Sequence, residues 1–169
     1  MKLNKNLILI GMMASGKSTV GRLLAKKLNI KFFDTDFIIE KKKKMKIFQI
    51  FNTEGEDVFR TLEKKISLNL FNKNNCIISL GGGAFINKSI RNNATKKGIT
   101  IWLNWKSNTL INRIKKNNKR PMASNLSDNE LKDLLINRSK IYSKAKYKID
   151  CENMTKAEIL NKIIEIVKL

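Results

Sequence analysis

Residues 6–28, "NLILIGMMASGKSTVGRLLAKKL", hold the reading on which the fold depends. The run "NLILI" at 6–10 is short, apolar after its first residue and followed by Gly11, which predicts a buried strand. From Lys17 onward, Val20, Leu23, Leu24 and Leu28 recur at helical spacing, so the pattern predicts a helix over 17–28. Between the two, Gly11, Gly16, Lys17 and Ser18 satisfy G-x-x-x-x-G-K-[ST]. In that context the loop is a phosphate grip. Backbone N–H groups and the positive end of the helix cradle a β-phosphate, Lys17 reaches β and γ oxygens, and the Ser18 hydroxyl is placed to ligate Mg2+. A Gly-rich structural turn is the weaker reading. Gly11, Met12, Met13, Ala14, Ser15, Gly16, Lys17, Ser18 and Thr19 are therefore candidate ligands for a nucleoside triphosphate such as ATP. The loop says nothing of the acceptor, since GTPases, ATPases, nucleotide kinases and small-metabolite kinases all share it.

Outward from this unit the chain alternates. Short apolar strands are expected at "KFF" (31–33), "CIISL" (76–80) and "ITIWL" (99–103), with a weaker one at "YKID" (147–150). Helical patterns separate them at 37–44, 46–51, 55–71, 87–97, 107–116, 127–145 and 155–168. Strands apolar on both faces, alternating with helices, argue for an α/β fold: a parallel sheet covered by helices on both sides. At 169 residues one domain is expected, spanning 1–169. The polar break "NNKRPMASN" at 117–125 holds the only proline and reads as a mobile loop within that domain, not a linker.

Composition narrows the chemistry. There are 35 Lys and Arg against 14 Asp and Glu, a formal charge of +21. Such a balance raises nucleic acid or an anionic membrane as partners. The excess is spread along the whole chain and is mostly Lys, which fits a solvated basic surface better; no Lys/Arg–aromatic patch accompanies it. Trp102 and Trp105 read as core or edge packing. The chain has no His, so proton transfer falls first to carboxylates. Cys76 and Cys151 form no CxxC and read as packing residues of a protein in a reducing compartment. No stretch approaches the ~20 apolar residues of a membrane span. A soluble cytoplasmic protein is expected.

Three features point to the acceptor side, at strand ends where open α/β sheets bind ligands. Asp34 and Asp36 in "DTD" can divide the work, one near a metal and the other facing an acceptor hydroxyl as base. A helix N-cap explains Asp34 or Thr35 equally well. Gly81-Gly82-Gly83 ends a strand and lets a ligand approach backbone N–H groups, although a tight turn would use the same residues. The third feature is arginine, present only at 22, 60, 91, 113, 120 and 138 in a Lys-rich chain. Such scarcity favours sites where a planar bidentate donor matters. Several guanidiniums with a Gly-rich turn suit an acceptor bearing its own carboxylate, and a nucleotide acceptor would need comparable anion binding.

"GMMASGKSTVGRLLA", "DTD", "FNTEGEDVFRTLE", "SLGGGA", "KRPM" and "NRSKIY" occur in an order and spacing that resemble the shikimate kinases over essentially the whole chain from Leu7. The resemblance implies a P-loop, nucleoside monophosphate kinase-like α/β/α fold with five parallel strands in order 2-3-1-4-5. It implies transfer of the γ-phosphoryl of ATP to the 3-hydroxyl of shikimate, with Mg2+, in a monomeric enzyme of aromatic amino acid biosynthesis. On that basis Asp36 is the candidate base, and Asp34 joins Ser18 at the metal. Arg60, Arg138 and the backbone at Gly81, Gly82 and Gly83 hold shikimate, with Phe51, Phe59 and Glu63 completing the pocket and Glu63 orienting Arg60. Arg120 matches a lid arginine reaching the transferred phosphoryl, within a lid near 113–125, and Arg113 matches the residue lying against adenine. Two departures stand out. Ala14 occupies a position where the family usually has glycine, and "CENMT" (151–155) gives no match to an adenine-contacting stretch. A relative acting on gluconate would keep the loop and lid but change the acceptor residues, and a non-enzymatic basic P-loop domain would bind nucleic acid without turnover.

Overall fold

The computed structural model describes residues 3–116 and 126–168. Five parallel strands, β1 (Asn6–Ile10), β2 (Lys31–Asp34), β3 (Cys76–Ser79), β4 (Gly98–Asn104) and β5 (Tyr147–Asp150), form one sheet in the order β2-β3-β1-β4-β5. The helices are α1 (Lys17–Leu28), α2 (Thr35–Lys43), α3 (Ile47–Glu54), α4 (Glu56–Leu70), α5 (Lys88–Lys97), α6 (Ser107–Lys115), α7 (Asp128–Tyr142) and α8 (Lys156–Lys168).

The alternation along β1 explains the layering. Leu7 and Leu9 point to one side and join Val20, Leu24, Ile101 and Ile163 in a core covered by α1 and α8. Ile8 and Ile10 point to the other and join Ile39, Phe59, Ile90, Leu131 and Tyr142 in a larger core beneath the remaining helices. All four of these β1 side chains are at most 1% exposed, so the strand is buried on both faces as a central parallel strand must be. Cys76 and Cys151 are free, buried thiols, pushed up by burial to about 11 and about 12 respectively. They are inert packing residues.

Helix ends depart from the periodic reading where capping decides them. α2 begins at Thr35, two residues before its apolar pattern, because the Asp34 carboxylate accepts from the N–H groups of Asp36 (3.1 Å) and Phe37 (3.3 Å). α7 stops at Tyr142, three residues short of the expected end. A single 3-10 turn at Ala84–Ile86, too short to carry a period, precedes α5 and is clamped by Arg91, whose Nη1 donates to the carbonyls of Phe85 and Ile86. Lys43, in the last turn of α2, pairs with Glu54 of α3.

Candidate active site

The parallel order carries the C-terminal ends of β1, β2 and β3 to one edge, and the phosphate loop, the Asp34–Asp36 segment and the Gly81–Gly83 turn lie at those ends. Gly11 leaves β1 at φ +140°, and a Cβ there would lie 2.9 Å from the Leu103 carbonyl. Gly16 starts α1 at φ +88°. Both positions require glycine. Ala14, between them, sits at φ +62° without that freedom. The Lys17 ammonium folds over the loop, donating to the carbonyls of Gly11 (2.9 Å) and Met12 (2.8 Å), so the cation is pinned where phosphate oxygens would approach. A cleft of about 380 Å³ opens here, lined by Ala14, Gly16, Lys17, Ser18, Thr19, Asp34, Asp36, Ser79, Leu80 and Arg113.

Asp34 serves two purposes. One oxygen caps α2, as described, while the other accepts from the Ser18 hydroxyl at 2.5 Å. The N-cap and the metal-side readings of Asp34 are thus compatible. Thr35, between the two aspartates, is fully buried. Its hydroxyl donates to the Ser79 carbonyl (3.3 Å) and accepts from the Gly81 N–H (2.8 Å), locking the end of β2 to the turn after β3.

That turn gathers the acceptor-side residues. A Cβ on Gly81 would lie 2.4 Å from an Asp36 carboxylate oxygen and 2.8 Å from one of Glu63. On Gly83 it would lie 2.6 Å from Arg60 Nη1, and on Gly82 3.1 Å from the Met13 nitrogen with Arg138 Nη1 at 3.8 Å. The three glycines therefore make room for two carboxylates and two guanidiniums, and bring the phosphate loop against them.

Arg60 and Glu63 are neighbours on one face of α4. Arg60 Nη1 meets Glu63 Oε2 at 2.8 Å, and Nε meets Glu56 Oε1 at 3.0 Å. Burial works against the Arg60 charge, but the two carboxylates outweigh it and hold the guanidinium above its ordinary value. Burial raises the Glu63 carboxyl, Arg60 pulls it down and Asp36 adds to the rise; the net direction is upward. Phe51 and Phe59 pack as a tilted pair with centroids 4.7 Å apart and planes inclined at 43°, and Arg60 lies over both rings at 5.9 and 5.1 Å. They form an aromatic wall beside the ion pair.

Two residues that the sequence reading left out complete the site. The Tyr142 hydroxyl, one turn from Arg138, donates to the Gly82 carbonyl and so orients the peptide of the turn. Burial pushes this phenol up to about 12, which keeps it a donor. Trp105, expected as packing, has its ring under Arg113 and its indole N–H on the Ser15 carbonyl (3.0 Å). Trp102, by contrast, is a 7% exposed core residue. The expected lid near 113–125 is described only as far as residue 116; Arg120 lies outside the described residues. Arg22 is exposed on α1. Among the described residues no helix is long and apolar enough to cross a membrane.

Comparison with known proteins matches this arrangement. The family model described as shikimate kinase matches residues 13–168. A shikimate kinase of Sulfurihydrogenibium sp. (strain YO3AOP1) is 38% identical over 164 residues, covering 97% of this chain and 98% of the relative. One from Persephonella marina is 38% identical over 95% of this chain and 97% of its own. The solved structure of shikimate kinase from Acinetobacter baumannii in complex with shikimate superposes with a TM-score of 0.91 at 31% identity, over 97% of this chain and 93% of the other. A gluconokinase from Sinorhizobium meliloti shares the fold at a TM-score of 0.61 and 14% identity, over 99% of this chain and 96% of the other. With the family model spanning nearly the whole sequence and relatives this similar along their full lengths, this chain belongs to the shikimate kinase family.

Proposed function

We infer that the cleft transfers the γ-phosphoryl of ATP to the 3-hydroxyl of shikimate, giving shikimate 3-phosphate and ADP. The observation that carries this reading is the position of Asp36: it lines the phosphate-loop cleft with Lys17 and Ser18, yet lies against Gly81 beside Glu63, within the Arg60 cluster. One carboxylate stands between a triphosphate grip and a carboxylate-binding pair of arginines. In a chain without His, Asp36 is the base that accepts the hydroxyl proton as the oxygen attacks phosphorus.

Lys17, held over the loop by the Gly11 and Met12 carbonyls, reaches the β and γ oxygens from there. Arg60, braced by Glu63 and Glu56, and Arg138 hold the shikimate carboxylate and ring hydroxyls, while Phe51 and Phe59 cover the ring. The Gly82 peptide, fixed through Tyr142, presents its N–H to the same ligand. Ser18 and Asp34 supply an adjoining hydroxyl and carboxylate, a hard-oxygen pair of the kind that holds Mg2+ when phosphates and water complete its shell. No cluster of three or more acidic, His or Cys ligands occurs among the described residues, and a nucleotide-borne Mg2+ needs none. The chemistry that Mg2+ would supply when bound is neutralisation of the charge developing on the phosphate oxygens. Arg113 takes the adenine side, Arg120 the transferred phosphoryl, and the protein works as a cytoplasmic monomer.

A coupled assay of ADP release tests the reading, with shikimate, gluconate and nucleoside monophosphates compared in turn. Shikimate alone should stimulate turnover; absence of stimulation by shikimate sinks it. Asp36→Asn should abolish turnover while shikimate still binds, and near-normal kcat in that variant would remove Asp36 as base.

A further inference from the structure

We propose that Trp105 is the positioning residue of the nucleotide half of the site, setting the plane of Arg113 so that its free face receives the purine base. The proposal rests on the ATP reading of the cleft and adds to it a residue outside the phosphate-loop pattern. Trp105 lies one residue past β4, half-buried between the two cores. The Arg113 guanidinium carbon is 3.7 Å from the centroid of its ring, face-to-face contact distance for a planar cation on an aromatic system. Of the cation–ring contacts among the described residues this is the shortest, and it is the one whose cation lines the nucleotide cleft.

A guanidinium has two faces. With one covered by indole it sheds water on that side and loses torsional freedom, so the other is presented as a fixed plate for a flat ligand. The indole is itself held at its other end, since Nε1–H donates to the Ser15 carbonyl in the phosphate loop. Base plate and phosphate grip are therefore tied through one side chain. The start of α6, which carries Arg113, is anchored separately: Glu152 accepts from the Lys106 N–H (3.1 Å) and the Thr109 hydroxyl (2.7 Å), and the Cys151 N–H donates to the Asn104 carbonyl (2.8 Å). Those contacts fix the helix; Trp105 fixes the guanidinium on it.

The test separates base from phosphate. Affinities for ADP and for inorganic tripolyphosphate are measured by calorimetry on the wild type, Trp105→Leu, Arg113→Met and the double variant. Trp105→Leu should weaken ADP by about tenfold and leave tripolyphosphate within about twofold, and in the Arg113→Met background it should have almost no further effect on ADP. An unchanged ADP affinity overturns the proposal, as does equal loss of both ligands, which would place the effect in the Ser15 contact. Full additivity of the two substitutions also overturns it. If Trp105→Leu fails to fold, Trp105→Tyr replaces it: a flat ring should retain ADP affinity within about threefold, and a loss as large as that of Arg113→Met overturns the proposal. Wild-type turnover with ATP and shikimate is recorded alongside, so a wrong substrate assignment shows in the wild type and a wrong Trp105 assignment only in the cycle.

Discussion

At the residue scale, Glu63 shows how a site can hold a group at some cost to the fold. Its carboxyl is 2% exposed and its affinity for a proton is raised, mainly by burial. A raised carboxylate contributes stability below the unfolded value and loses that contribution as pH rises through the folded one, so ionised Glu63 opposes folding at neutral pH. Glu63→Gln should therefore melt no lower than wild type at pH 7 to 8, with any advantage shrinking as pH falls toward the ordinary carboxylate range. The same variant weakens the brace on Arg60 and should raise the shikimate KM roughly tenfold. Melting curves between pH 5 and 8, paired with steady-state kinetics, check both halves; an unchanged KM would show that Glu56 alone orients Arg60. Ala14 is the converse case. At φ +62° a non-glycine residue is strained by roughly 1–2 kcal/mol, and glycine gives back roughly 0.5–1 kcal/mol through the flexibility of the unfolded chain. Ala14→Gly should stabilise the protein by about 0.5 kcal/mol in urea titrations. Destabilisation would mean that the Ala14 methyl, which packs against the larger core, outweighs the strain.

At the scale of elements, the acceptor pocket depends on how β2 and β3 end. Asp34 and Ser79 are partners in register, after which the chains separate into α2 and the glycine turn. The Thr35 hydroxyl spans that separation. Thr35→Val keeps the shape but leaves the Gly81 N–H and Ser79 carbonyl without that partner, a loss of about 1–3 kcal/mol. Because Asp36 and Gly81 then lose their common anchor, kcat with shikimate should fall while ADP affinity, set by the phosphate loop and the Trp105–Arg113 pair, stays within about twofold. Thr35→Ser should restore kcat; failure of the rescue would assign the effect to packing. The sequence made the strand–helix alternation and the phosphate loop legible, since both are written in neighbouring residues, and the order of the arginines, glycines and aspartates marked the acceptor side. Thr35, Tyr142 and Trp105 were not legible as site residues. Their partners lie 46, 60 and 90 positions away, and no local period encodes a contact made only when strands pair and a helix docks.

Across the whole molecule the charge of +21 acts on every encounter with an anionic substrate. Shikimate and ATP are both anions, and a strongly positive protein concentrates such ligands and speeds their association, an effect screened beyond about 8 Å at physiological ionic strength. Among the described residues the ion pairs engage Lys43, Lys46, Lys115, Lys148 and Lys162, few of the lysines there, so much of the field is available to solvent and ligand alike. Raising salt from about 20 to about 300 mM should lower kcat/KM for ATP by roughly tenfold, while kcat at saturation changes less than about twofold, because transfer occurs between groups already in contact. The same surface would attract duplex DNA without reading it. Added DNA should therefore inhibit at low salt, raise KM but not lower kcat, and lose its effect at about 300 mM salt. Salt-independent kcat/KM would confine the charge to solubility. Inhibition by DNA that persisted at high salt and lowered kcat would point instead to a specific nucleic-acid site, giving the basic surface a function separate from catalysis.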